Sequence, residues 1–230
     1  MKKTFLCSVF ALIAATSFIS CGSDEVVSVT TDWIENELQD LENCGYFFTT
    51  NEIGQLDMIE GEFKKATGYE KSAYGFIFGY PYSLDGKVSN YIRFEINTDG
   101  EYALYKVEGS KYTDLIEAND KNTAYFYESD AIVKGYDSVN KLKVELVNDK
   151  YTVYINGTKI KSDISRIKNS LYGAMAFFSV GSEKQEKLPD EVVKVTYRIT
   201  DGTIHKLTDA EINAINSIKS KVSRTSAPEK

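Results

Sequence analysis

The sequence predicts an all-β protein, a two-sheet antiparallel β-sandwich. The prediction depends on two hairpin segments, residues 90–107 and 141–160, in which apolar and polar side chains alternate over five or six residues. Such alternation is typical of antiparallel strands that bury one face and expose the other. The turns contain Asp-Gly, Asn-Asp and Asn-Gly pairs, which accept the positive φ angles of tight hairpins.

The chain begins with a predicted secretion signal, residues 1–20, whose apolar run is too short to span a bilayer. Cys21 follows a small residue at the predicted cleavage point, and this arrangement resembles the lipobox of bacterial lipoproteins. The resemblance implies that Cys21 is lipidated and that residues 21–31 form a flexible tether. It also implies an anchor in the bacterial cell envelope, at the outer membrane or cell surface. An ordinary signal peptide with an incidental cysteine is the alternative.

The composition restricts the partners and the cross-links. The signal carries two lysines and no acidic residue, so its removal takes the formal net charge from −7 to −9. A surface this acidic disfavours nucleic acid and anionic membranes as partners, and membrane attachment is therefore expected through the lipid alone. With Cys7 removed and Cys21 acylated, Cys44 has no partner for an intramolecular disulfide, so the core must hold the domain.

The sandwich is predicted over residues 32–207, with a helical segment at either end. From residue 32 to 43, apolar residues recur at helical spacing after an Asp-x-x-Glu capping pattern, which predicts a short helix, with an irregular strand as the alternative. Trp33 is expected to close one end of the core rather than to bind a ligand. A second capping pattern and an apolar stripe predict a C-terminal helix over residues 208–222, followed by a disordered tail, residues 223–230.

Further strands are predicted where apolar residues alternate or run continuously: residues 46–48, 56–65, 72–80, 122–128, 131–133, 172–180 and 192–199. The segment 72–80 is apolar on both faces, which indicates a central strand. Its internal glycines, Gly75 and Gly79, are expected where a neighbouring element packs close to the backbone.

Several of these segments, taken in order, resemble the concanavalin A-like, laminin G-like jelly-roll domains of bacterial exported proteins. The matching stretches are residues 73–79, 91–96 with 99–102, 129–135, 140–144 and 154–157. The resemblance covers roughly residues 46–199. It implies two curved antiparallel sheets, one of which presents a concave face.

Catalysis is not expected from the side chains present. Glycosidases of this fold need carboxylates spaced by two on one strand, and Glu60 and Glu62 have that spacing. Lys64 stands at the third position, however, and a solvated strand face explains the pattern better. His205 is the only histidine, so any Ser/His/Asp catalytic set would have to use it. No such set is predicted.

No cofactor is predicted. With one histidine and an unpaired Cys44, a zinc cluster has no ligand set. The resemblance leaves calcium open, because laminin G-like domains bind it through loop carboxylates, for which Asp85 and Asp120 are the candidates. An aspartate in a turn next to glycine, however, usually serves the turn.

Binding is the function that the sequence favours. The chain has 16 tyrosines and 12 phenylalanines, and a tyrosine ring joined to a hydroxyl suits sugar rings as well as protein partners. The candidate ligand-binding residues are Tyr80, Tyr82, Asp85, Tyr91, Arg93, Glu95, Tyr125 and Tyr127. For each tyrosine the alternative is structural pairing across strands.

The sequence therefore predicts a lipid-anchored envelope protein that binds carbohydrate or another extracellular ligand through tyrosine-rich loops or a concave sheet face. The first alternative is a structural or interaction subunit of an envelope protein complex, or an adhesin. The second is a divergent glycoside hydrolase.

Overall fold

The computed structural model describes residues 26–39, 46–47, 54–79, 90–109, 111–117, 125–165, 177–179 and 192–206. These residues form fourteen strands and no helix. Seven strands build a first sheet and seven build a second sheet, and all of these pairings are antiparallel. The predicted all-β, two-sheet antiparallel sandwich is confirmed.

In chain order the strands are β1 (Val26–Ser28), β2 (Ile34–Gln39), β3 (Tyr46–Phe47), β4 (Gly54–Thr67), β5 (Ala73–Phe78), β6 (Asn90–Ile96), β7 (Glu101–Glu108), β8 (Lys111–Asp114), β9 (Tyr127–Glu128), β10 (Asn140–Val147), β11 (Lys150–Ile155), β12 (Thr158–Ser165), β13 (Phe177–Ser179) and β14 (Val192–Lys206). The first sheet has the order β1-β14-β4-β10-β11-β12, and β2 also pairs with β14. The second sheet has the order β3-β13-β5-β6-β7-β8, and β9 also pairs with β7.

Both hairpin segments pair as the alternation and the turn residues predict. Gly100 has a φ of +92° in the turn between β6 and β7. Asn148 and Asp149 have φ angles of +50° and +61° between β10 and β11, and Asn156 and Gly157 have +48° and +81° between β11 and β12. Asn, Asp and Gly adopt this left-handed backbone at low cost, so the turns set the register of the strands.

The core lies between the two sheets and is rich in aromatic rings. Phe76 of β5 meets Phe63 of β4 edge-on at 5.1 Å between ring centres, and Phe78 meets Tyr151 of β11 edge-on at 5.0 Å. Burying each such side chain stabilises the fold by roughly 1.5–3 kcal/mol. β5 is buried on both faces along its whole length, as predicted for a central strand.

Near the N-terminal end of the described residues, the chain is more extended than predicted. The helix expected from residue 32 to 43 is wrong where it is described, because Ile34–Gln39 is β2, paired with β14. Backbone pairing with a neighbouring strand outweighs the local helical spacing. The chain before it also belongs to the sheet, since β1 pairs with β14 and the Thr31 amide donates to Ile199 O at 3.0 Å. Residues 26–31 therefore lie in the sandwich rather than in the tether predicted for residues 21–31.

The middle segment also differs from the prediction. The strand expected at 131–133 is a turn region, in which the Asn140 amide side chain accepts from Val133 N at 2.8 Å and donates to Val133 O at 3.0 Å. That side chain takes the place of a neighbouring strand, and it lets Ile132 reach the core. Of the strand predicted at 122–128, only Tyr127–Glu128 is a strand among the described residues, while 125 and 126 are irregular.

Several predictions fall on residues outside those that the structure describes. They are the signal peptide, lipidation at Cys21, the binding residues Tyr80, Tyr82 and Asp85, the calcium candidate Asp120, and the C-terminal helix over residues 208–222 with its tail. These stay predictions. The part of the chain that is described contains no helix long and apolar enough to cross a membrane.

Candidate functional site

The best candidate site lies on the side of the second sheet that points away from the core. Side chains alternate between the two sides of each strand. Phe76, Ile92 and Phe94 point into the core, so the residues that alternate with the core residues on β5, β6 and β7 point to this side. We call it the second-sheet face, made of Ile77, Tyr91, Arg93, Glu95, Ala103, Tyr105 and Val107, with Tyr112 and Phe126 packed against it. The predicted trio Tyr91, Arg93 and Glu95 is thus together on one face.

This face is buried, which corrects the expectation that β6 is half exposed. Only 6% of Arg93 and 1% of Glu95 is accessible to solvent, and Tyr91 and Tyr105 are buried as well. Strand alternation reports which residues share a face, but it does not report whether that face meets water. The predicted open binding floor of Tyr91, Arg93 and Glu95 is therefore a buried polar layer.

A charged pair and a tyrosine hydroxyl organise this layer. Arg93 Nε donates to Glu95 Oε2 at 2.9 Å, and Arg93 Nη2 lies 2.8 Å from the same oxygen. The Tyr105 hydroxyl donates to Glu95 Oε1 at 3.2 Å, and the Arg93 guanidinium lies over the Tyr105 ring, 5.3 Å from its centre. The Tyr105 ring in turn packs against Tyr112, with ring centres 5.8 Å apart. The pair therefore fixes the orientation of two tyrosine rings.

Glu95 stands between two small residues of the neighbouring strands. Its direct partners are Gly75 on β5 and Ala103 on β7. A Cβ on Gly75 would overlap the carbonyl oxygen of Phe94 and lie 2.8 Å from the Cα of Glu95. The close approach predicted at Gly75 is confirmed, and it leaves the Glu95 carboxylate free of bulky direct neighbours, so that it reaches Arg93 and Tyr105.

The protonation of the face follows from its burial. Burial raises the pKa of the Glu95 carboxyl above its ordinary value, although the Arg93 charge and the hydrogen bonds from Arg93 and Tyr105 oppose the rise. Burial also raises the pKa of Tyr105 well above its ordinary value, and the pKa of Tyr91 as well. Both tyrosine hydroxyls therefore stay protonated at neutral pH and remain available as hydrogen-bond donors.

The two other described candidates do not join this pair. Tyr127 points its hydroxyl at Asp114, to which it donates at 2.6 Å, and its ring packs on Tyr102 at 5.8 Å between centres. Asp114 is buried and also accepts from Ile116 N at 2.7 Å, so this contact anchors a loop. Tyr125 is partly buried in the irregular stretch before β9.

Sequence reasoning missed Tyr105 and Tyr112. Tyr105 belongs to the predicted hairpin and shares a face of its strand with Ala103 and Val107. The register of the hairpin places it opposite Arg93. Tyr112 lies on β8, a four-residue edge strand too short for its pattern to stand out. The hairpin register was the available signal for Tyr105, and no comparable signal was present for Tyr112.

The outer side of the first sheet, which we call the first-sheet face, carries charges in exposed pairs. Carboxylates and cations meet at Glu37–Lys194 (2.9 Å), Glu62–Arg198 (2.7 Å), Glu60–Lys141 (3.1 Å) and Glu145–Lys143 (2.5 Å). The Tyr154 hydroxyl also donates to Glu145. Glu60 and Glu62, the residues with glycosidase spacing, are thus each held by a neighbouring cation.

Trp33 lies on the first-sheet face as well. It is 40% exposed, which contradicts the expectation that it closes the core. Arg198 lies 4.7 Å and Lys64 5.2 Å from the centre of its ring. The indole contacts two cations of the sheet surface, and the chain on either side of Trp33 runs along β14.

Metal ligands are not gathered in the described part of the chain. Among the described residues, no three His, Cys, Asp or Glu side chains lie together in a way that could hold a metal ion. The calcium candidates Asp85 and Asp120 fall outside those residues.

Comparison with known proteins adds similarity to solved structures. No family model and no curated protein matches the chain. The carbohydrate-binding module CBM66 from Bacillus subtilis is 12% identical, with 75% of this chain and 96% of that chain covered and a TM-score of 0.49. A β-glucanase from Bacillus licheniformis is 10% identical, with 85% and 92% covered and a TM-score of 0.49. A lichenase derived from a mouse hindgut metagenome is 11% identical, with 80% and 83% covered and a TM-score of 0.47. At these values the similarity carries no information on ligand or activity.

Proposed function

We propose that the protein is a lipid-anchored binding protein of the bacterial cell envelope that recognises carbohydrate and performs no chemistry. The observation that carries the proposal is the buried Arg93–Glu95 pair, which contacts Tyr105, the residue on whose ring Tyr112 packs. It is a polar layer on the side of a sheet that does not face the core.

A buried ion pair is weak support for stability as such. Removing two charges from water costs several kcal/mol per ion, and apolar side chains of similar volume often stabilise a fold as well or better. The raised pKa of Glu95 agrees with this, because burial outweighs the attraction of Arg93 there. A charged pair that is buried at such a cost, together with tyrosine hydroxyls, favours a role in recognition.

The chemistry of the face suits a saccharide. A sugar ring offers apolar CH faces and many hydroxyls, which match the ring and the hydroxyl of tyrosine. Tyr112 and Phe126 are the partly exposed members of the face, so they are the residues that reach the ligand. Arg93 and Glu95 act as positioning residues, since they hold the Tyr105 ring on which Tyr112 packs. Tyr80, Tyr82 and Asp85 belong to the segment that joins β5 to β6 and stay part of the proposed site.

The absence of catalysis is part of the proposal. A glycosidase needs one carboxyl group as acid and another as nucleophile or base, both facing the scissile bond. Glu60 and Glu62 are bound instead by Lys141 and Arg198. A hydrolase assay against the saccharides that bind tests this point, and turnover that is lost in Glu60→Gln and Glu62→Gln would contradict it.

The lipid anchor brings the domain close to the membrane. β1 begins at Val26, five positions after Cys21. Five extended residues span at most about 17 Å. Replacing Cys21 by Ser should move the protein from the membrane fraction to the soluble fraction, and unchanged retention would refute the anchor.

Binding is tested with the secreted Cys21→Ser protein on a glycan array. We expect binders, and we expect Tyr112→Ala to weaken their binding about tenfold, since a stacked aromatic ring contributes about 0.5–1.5 kcal/mol beyond the area it buries. Tyr154→Ala is the matched control, because Tyr154 is a partly buried tyrosine of the first-sheet face. An array without binders contradicts the proposal. Recovery of one stoichiometric envelope protein in a pull-down, with no glycan bound, favours an interaction subunit instead.

A further inference from the structure

The exposed indole of Trp33 lies apart from the second-sheet face and has no role in the proposed function. It is on the first-sheet face, where the side-chain ends of Arg198 and Lys64 lie 4.7 and 5.2 Å from the centre of its ring. These cations belong to the adjacent strands β14 and β4. With 40% of the residue exposed, a large part of the indole remains in contact with solvent.

Lys64, which lies beside Trp33, differs from the other cations of the first-sheet face in its partner. Four of the described cations of the face form ion pairs with glutamates: Arg198 with Glu62, Lys194 with Glu37, Lys141 with Glu60 and Lys143 with Glu145. Among the described side chains of the first-sheet face on β2, β14, β4 and β10, Lys64 is the cation that forms no ion pair. Its ammonium contacts the indole of Trp33 instead.

We propose that Trp33 and Lys64 form a binding site for an acidic sugar residue, a pyranose that carries a carboxylate or sulfate group. The flat indole takes the CH face of the ring. The Lys64 ammonium, 5.2 Å from the centre of the indole, takes the anionic substituent. Arg198 keeps its contact with Glu62 and holds the indole in place from the side of the sheet.

The dimensions of the patch favour a sugar over a peptide. The charged side chains recorded beside the exposed Trp33 ring are Lys64 and Arg198, and Arg198 is paired with Glu62. A protein interface needs a contiguous patch of about 800 Å² on each partner. One indole matches one pyranose ring, and the polar surroundings match its hydroxyl groups.

The acidic surface of the chain sets the strength of this contact. Its formal net charge of −7, which becomes −9 once the predicted signal is removed, repels an anion at long range. That repulsion is screened beyond about 8 Å at physiological ionic strength, while the short contact with Lys64 is screened less. Binding should therefore be weak and should depend on the local pair, not on the overall charge.

The test uses the secreted Cys21→Ser protein and polygalacturonate, in affinity gel electrophoresis and titration calorimetry. We expect the wild-type side chains to bind polygalacturonate. Trp33→Ala should reduce the affinity about tenfold or more, and Lys64→Gln about fivefold. Lys159→Gln is the matched control, since Lys159 is an exposed lysine of the same sheet on the distant strand β12, and it should bind as before. Dextran sulfate separates recognition of sulfate from recognition of carboxylate.

The site is overturned by no binding of either polyanion, by equal binding by Trp33→Ala, or by equal binding of fully methyl-esterified polygalacturonate. Equal binding of polyglutamate also overturns it, because an acidic peptide would then be as good a ligand. Thermal unfolding of each variant shows that a loss of binding is not a loss of fold. The site is independent of the second-sheet face, so Tyr112→Ala should leave binding of polygalacturonate at Trp33 unchanged, and either proposal can fail alone.

Discussion

The two outer faces of this sandwich use the same kinds of residue in opposite ways. On the first-sheet face, lysines, arginine and glutamates pair across neighbouring strands or along one strand at 2.5–3.1 Å while they remain partly exposed. On the second-sheet face, one Arg93–Glu95 pair is almost wholly buried among tyrosine rings. The first arrangement leaves the charges in contact with solvent, and the second fixes the orientation of buried side chains.

The difference between the faces indicates where a charged pair affects the stability of this fold. An exposed pair contributes little because water screens it and its side chains lose entropy. A buried pair is sensitive because each ion depends on the other once water is excluded. The same substitution should therefore have unequal consequences on the two faces.

The largest effect is expected from breaking the buried pair. Arg93→Met leaves the Glu95 carboxylate buried without its charged neighbour, and the free energy of unfolding should fall by about 3–5 kcal/mol. Lys141→Met, which breaks the exposed pair with Glu60, should cost at most about 1 kcal/mol. Urea unfolding at neutral pH measures both. Equal losses for the two variants would remove the distinction between the faces.

The next effect concerns the space beside Glu95. Gly75→Ala forces a Cβ onto the backbone of Phe94 and Glu95, and overpacking of this kind should cost about 3 kcal/mol. Gly109→Ala is the control, because Gly109 has a φ of +61° but no atom lies within 4 Å of the position that a Cβ would take, so it should cost about 1 kcal/mol. A Gly75→Ala protein as stable as Gly109→Ala would show that the strands can separate there.

A smaller effect, with opposite signs on the two faces, is expected in the pH dependence of stability. The pKa of Glu95 is raised by burial, so its contribution to stability is complete below the ordinary carboxyl pKa of 4.5 and declines as the pH rises through the folded-state pKa. The pKa of Glu145 is lowered by hydrogen bonds from Lys143 and Tyr154, so its contribution is present above 4.5 and is lost as the pH falls through the folded-state pKa.

The free energy of unfolding is measured for the parent protein, Glu95→Gln and Glu145→Gln at pH values below and above 4.5. The difference between the parent and each variant, plotted against pH, gives one slope for each carboxylate. The stability advantage of the parent over Glu95→Gln should shrink with rising pH, and its advantage over Glu145→Gln should grow. Slopes of the same sign would contradict the contrast between a buried and an exposed carboxylate.

Local sequence patterns predicted the elements that form between residues close together in the sequence. The alternation in residues 90–107 and 141–160 and the Asn-Asp and Asn-Gly turns identified β6, β7 and β10–β12, because side-chain period and turn residues directly determine a hairpin. The segment at 34–39 was mistaken for a helix because its strand pairing with β14 depends on residues about 160 positions away.

The site was predictable only in part for the same reason. The spacing of Tyr91, Arg93 and Glu95 placed them on one face, which the register confirms. Their burial depends on packing of the complete chain, which alternation along one strand does not contain. Tyr105 reaches Glu95 through the register between strands, and Tyr112 joins through an edge strand of four residues.

The central claim, that the second-sheet face is the ligand-binding face, is tested most directly by ¹⁹F NMR of protein labelled with 3-fluorotyrosine. Signals of Tyr105, Tyr112 and Tyr154 are assigned with the three Tyr→Phe variants, and the strongest binder from the glycan array is titrated in. The account predicts that the Tyr112 and Tyr105 signals shift with the ligand while the Tyr154 signal stays in place. Shifts at Tyr154 with none at Tyr105 and Tyr112 would contradict it.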